Sequence, residues 1–133
     1  MQDKNHMACY LTQVGELFQI IARVTADCLS GANMDKVMIE VRPKILKQCN
    51  WIRYSAEMYF GVKATEGMAP PNLSKYFTKF ETDFLFDLAG NLIRVASVEI
   101  DQFLQREEAQ NNMNVVELNL QAIEMLARGA DNE

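Results

Sequence analysis

Apolar residues recur at helical intervals along most of this chain. The first run is Met7, Leu11, Val14, Phe18, Ile21, Thr25 and Cys28, in steps of 4, 3, 4, 3, 4 and 3. That is a heptad seam over three repeats. Tyr10, Leu17 and Val24 widen it into the broader stripe of a bundle helix. Asp3 or Asn5 is placed to cap its start, and Ser30-Gly31 to end it. A seam this long buries against other helices, or against a second copy of the chain.

Asn33 is placed to cap a second helix, "MDKVMIEVRP", in which Met34, Met38, Val41 and Ile45 keep a helical spacing. Residues 36–42 are also β-branched enough to read as a strand, but a lone strand finds no partner elsewhere, which favours helix. Pro43 should kink this segment or start a new helix over 43–61, with Gly61 as its stop. Residues 61–72, "GVKATEGMAPPN", then read as one long loop, either a crossover between bundle layers or a binding loop.

Beyond the paired prolines, Asn72 or Ser74 can cap a further helix. Leu73, Phe77, Phe80, Phe84 and Leu88 line it, broadened by Tyr76, Leu85 and Phe86. Gly90-Asn91 stops this helix or sits within a longer one reaching Glu108 through Leu92, Val95, Ala96, Ile100, Phe103 and Leu104. "QNN", 110–112, reads as a turn, and 113–128 as the last helix, burying Val116, Leu120, Ile123 and Leu126 up to Gly129. The expected fold is therefore an all-α, single-domain antiparallel bundle of five or six helices over 1–133, with 1–4 and 130–133 frayed.

Composition supports a folded chain: 133 residues, 49% hydrophobic and 23% charged. No apolar run reaches the ~18 residues that span a bilayer, and the N-terminus lacks a signal-peptide core. A cytoplasmic protein is the expectation, without a membrane. Cys9, Cys28 and Cys49 are odd in number and widely spaced, as buried structural thiols would be.

The net charge of −5 is unevenly spread. Residues 1–35 carry two basic and four acidic side chains, 36–79 eight and three, and 80–133 three and eleven. Either the basic and acidic segments neutralise each other within the fold, or one of them meets a charged partner.

Motifs for covalent chemistry are missing. His6 is the only histidine, so the chain has no H-E-x-x-H zinc helix and no inward Glu-x-x-His pairs. It has no phosphate-binding glycine motif. The acids Glu81, Asp83, Asp87, Glu99, Asp101, Glu107 and Glu108 include no E-x-x-E, and read as solvated helix faces. A cofactor, a metal and an enzymatic activity are not expected.

The informative stretch is 44–60, "KILKQCNWIRYSAEMYF". At roughly 100° per residue, Ile45, Cys49, Ile52, Ala56, Tyr59 and Phe60 gather on one face. Lys44, Lys47, Trp51, Tyr54 and Met58 fall on the far side at steps of 3, 4, 3 and 4. Trp, Tyr and Met beside lysines suit a contact surface; a helix covered on two sides would bury the same residues. The first functional expectation is thus a protein–protein interaction module: an adaptor, a chaperone-like subunit or an inhibitor of a larger complex. In it Trp51, Tyr54 and Met58 anchor, and Lys44 and Lys47 orient an acidic partner. A homodimer fits, through the first-helix seam or through opposed basic and acidic surfaces. The alternative is a small nucleic-acid-binding subunit, in which Arg42, Arg53, Lys63, Lys75 and Lys79 extend a basic patch for phosphates, against an overall pI of about 4.9.

Overall fold

The computed structural model describes residues 4–71, 82–98 and 106–129. Over these the chain is all-helical, with four helices: α1 (Lys4–Leu29), α2 (Met34–Phe60), α3 (Thr82–Val98) and α4 (Arg106–Arg128). The bundle is as expected, but among the described residues it has four helices, not five or six. The expected stripe residues Leu73, Tyr76, Phe77, Phe80, Ile100, Phe103 and Leu104, the caps Asn72 and Ser74, and the ends 1–3 and 130–133 lie outside the described residues.

Pro43 and Gly90, neither of which interrupts its helix, account for the lower count. Pro43 lies inside α2 and neither ends nor restarts it. It is exposed, as is Ile39 one turn earlier, so the carbonyl that loses its partner sits on the solvent side of the helix. Residues 36–42 are accordingly helix. Likewise Gln110–Asn112 are not a turn but part of α4. Gln110 serves packing: its Nε2 donates to the Lys63 carbonyl, and one turn on Asn114 Oδ1 accepts the Thr65 N–H at 2.8 Å. These bonds fasten the segment after α2 onto the start of α4. Gly90 is also intrahelical, and a Cβ built there meets nothing within 4 Å.

The expected ends of α2 are present. Asn33 Oδ1 accepts the Lys36 N–H at 3.1 Å, and Gly61 closes the helix at φ 74°, its N–H bonded to Glu57 O. At the start of α1, Asn5 lies inside the helix.

Each helix touches two others, giving a ring in the order α1, α2, α4, α3. Cys9 lies by Ser55 and Cys28 by Met34, so α2 runs against α1. Tyr10 Oη donates to Leu92 O at 2.9 Å and Phe18 meets Phe86, so α3 also runs against α1. Arg42 reaches Ala127 and Arg53 reaches Glu117, so α4 opposes α2. All four neighbouring pairs are therefore antiparallel, while α2 and α3 run parallel on the diagonal.

One core fills the ring. From α1 it takes Tyr10, Val14, Leu17, Ile21 and Val24, each at 0% exposure. The stripe is thus centred one heptad position away from the Met7–Cys28 seam, whose Leu11, Phe18, Thr25 and Cys28 are only half-buried. The fully buried stripe of α1 is therefore part of the core of the bundle. No helix of the described residues is long and apolar enough to cross a membrane.

Candidate functional site

Helix α2 presents two unlike faces. Ile45, Cys49, Ile52 and Ala56 are fully buried, with Tyr59 and Phe60 nearly so. On the opposite arc Lys44 and Lys47 are exposed, Trp51 is 49% exposed, Tyr54 59% and Met58 43%. Neighbouring helices thus cover the first face and leave the second, so Trp51 is not core.

The exposed arc borders α1. Gln48, nearly buried, donates through Nε2 to the Gln13 carbonyl at 2.7 Å and to Gln13 Oε1 at 2.8 Å. This pair of hydrogen bonds pins the two helices together. Above it lies an open groove of about 430 Å³. Its α1 bank is Gln13, Glu16 and Ile20; its α2 bank is Lys44, Lys47, Gln48 and Trp51. The structure therefore brings together three of the five expected contact residues, and Tyr54 and Met58 continue the same arc beyond the groove. Among the described residues, neither Lys44 nor Lys47 lies within 4 Å of a carboxylate.

The further basic residues sit elsewhere. Arg42 Nε donates to the Ala127 carbonyl at 2.7 Å, satisfying an open acceptor in the last turn of α4. Arg53 donates from Nε to Glu117 at 2.6 Å, and from Nη2 and Nη1 to the two oxygens of Glu124 at 3.1 and 3.3 Å. Asn50 Oδ1 takes another Nη1 bond. Burial alone would favour the neutral guanidine, but the bonds to Glu117 and Glu124 outweigh it and hold Arg53 above the usual arginine range. The opposed charges of α2 and α4 thus neutralise partly inside the fold. Lys63 is exposed, and Lys75 and Lys79 lie outside the described residues.

Two further titratable groups belong to the core. Burial pushes the Cys49 thiol and the Tyr10 phenol far up, so both stay neutral. Cys9 is exposed rather than buried, and Cys28 is intermediate; all three cysteines are free thiols. Among the described residues no group of three His, Cys, Asp or Glu side chains is placed to hold a metal ion.

Sequence reasoning missed the α1 bank of the groove. Gln13, Glu16 and Ile20 follow a 3, 4 spacing beside the apolar stripe, but only the register of α1 on α2 sets them opposite Lys44 and Trp51. No protein-family model, curated protein or solved structure matches the chain, so this geometry is what bears on its activity.

Proposed function

We propose that the protein is a non-enzymatic interaction module, an adaptor, chaperone-like subunit or inhibitor of a larger complex, that engages another protein through the outer arc of α2. One observation carries this reading: Trp51, Tyr54 and Met58 are exposed together on a helix whose other face is core. An exposed Trp–Tyr–Met arc costs solubility and lies outside the core cluster, whereas such side chains supply most of the energy of protein interfaces. Lys44 and Lys47, which form no ion pair among the described residues, add a preference for an acidic partner.

The test is affinity capture from extract with the wild-type chain and a Trp51→Ala/Tyr54→Ala variant, both checked for native helicity. Partners held by the wild type and lost by the variant support the reading. Recovery of the same partners with both baits overturns it. Sedimentation equilibrium of the two proteins separates self-association from capture of a different protein.

A further inference from the structure

The α1–α2 groove has a polarity that narrows what can lie in it. Its α2 bank carries two ammonium groups, Lys44 and Lys47, one turn apart and beside the half-exposed indole of Trp51. Its α1 bank carries one carboxylate, Glu16, and one apolar side chain, Ile20. Among the described residues none of these charges is compensated by an ion pair. The groove is open and about 430 Å³, room for two or three side chains rather than for an enclosed small molecule. Its floor is stiffened where Gln48 grips Gln13.

We infer that this groove seats an acidic amphipathic helix of a partner protein, apolar side chains on Ile20 and Trp51 and carboxylates on Lys44 and Lys47. This rests on the interaction reading above and specifies the partner's chemistry. Charge complementarity selects the occupant. A basic helix would meet two uncompensated lysines, and an apolar one would leave both lysines unused while covering their stems. Glu16 on the opposite bank sets the orientation, because acids placed on that side are repelled. Binding adds no secondary structure to the protein, only a helix laid across two existing ones.

Trp51 is the only tryptophan, so its fluorescence reports the groove directly. The full chain is titrated with three synthetic 18-residue amphipathic peptides that share a leucine face and are flanked by Glu, Gln or Lys. The Glu peptide should shift the indole emission to the blue, saturably, and bind more weakly as salt rises. Lys44→Glu/Lys47→Glu should weaken that peptide roughly five- to tenfold, the scale of losing two exposed ion pairs, and reverse the preference toward the Lys peptide. Ile20→Asp should abolish the response of Trp51 while circular dichroism stays native. Equal binding of the Glu and Gln peptides, or an unchanged preference in the charge-reversed variant, overturns the inference. So does a failure of all three peptides, or a spectral shift that follows protein concentration instead of peptide. If these fail while partner capture still depends on Trp51 and Tyr54, the interaction reading stands and only the assigned occupant falls.

Discussion

The two outer edges of α2 carry similar residues to opposite ends. On the edge toward α4, Arg42 and Arg53 are half-buried and engaged: one on the Ala127 carbonyl, the other on Glu117, Glu124 and Asn50. On the edge toward α1, Lys44 and Lys47 are exposed and form no ion pair among the described residues. The residue types suit these fates. A guanidinium offers a rigid fork that can serve two carboxylates at once, while an ammonium on a flexible stem stays hydrated at a surface. One edge of the helix stabilises the fold and the other remains for something outside it. The contrast narrows to three consecutive residues, with Trp51 facing solvent, Ile52 the core and Arg53 the acids of α4.

The sharpest way to break the comparison is to cut these three residues in turn and measure unfolding in urea. Ile52→Ala empties a fully buried site and should cost about 2–5 kcal/mol. Arg53→Ala leaves Glu117 and Glu124, with side chains 13% and 12% exposed, without their counter-charge, and should cost about 2–3 kcal/mol. Adding Glu117→Gln and Glu124→Gln to Arg53→Ala should recover part of that loss, because the uncompensated charges are gone. By contrast, Lys44→Ala/Lys47→Ala should stay within about 0.5 kcal/mol of the wild type. A loss as large as that of Arg53→Ala would mean that the lysines belong to the fold.

Alkaline pH tests the buried face by itself. Tyr10 and Cys49 both have their pKa raised by burial, so the native chain keeps protons that the unfolded chain gives up. Their contribution is fully present below the unfolded values, about 8.5 for the thiol and 10 for the phenol, and is lost as pH rises above them. Stability should therefore decline from about pH 8.5 upward, and Cys49→Ala should move the onset toward pH 10. Thiol labelling should separate the cysteines in the same sense: Cys9, exposed, reacts in the native protein, while Cys49 reacts only on unfolding.

How far all this was legible in the sequence follows from the range of the forces involved. The two faces of α2 are set by local periodicity, so the core and solvent arcs from Lys44 to Phe60 could be assigned before any packing was known. In α1, two heptad seams overlap and share Val14 and Ile21. Choosing between Phe18 and Leu17 as the centre requires knowing where α2 and α3 sit. Pro43 was misleading because a proline breaks a helix only where its lost hydrogen bond cannot be replaced, and on the solvent face it can. Gln110–Asn112 misled for the converse reason: the Gln110 side chain binds a segment 45 or more residues away instead of its own backbone. The role of Arg53 was out of reach, since Glu117 and Glu124 lie 64 and 71 residues downstream. So was the groove, which exists only once α1 and α2 are in register.

The smallest expected effect tests the open edge without any partner. Trp51→Ala should leave the unfolding free energy within about 0.5 kcal/mol, because the half-exposed indole lies outside the core and makes no hydrogen bond with another described residue. In the wild type its emission should be quenched by both iodide and caesium, and more by iodide. The reason is local: two ammonium groups stand in the same groove against one carboxylate, and such a bias acts within a Debye length, about 8 Å at physiological salt. Lys44→Gln/Lys47→Gln should therefore reverse the ratio in favour of caesium, since Glu16 remains, and high salt should flatten it in both proteins. A ratio unmoved by the two substitutions would place the lysines away from the indole and remove the charge element from this edge of α2.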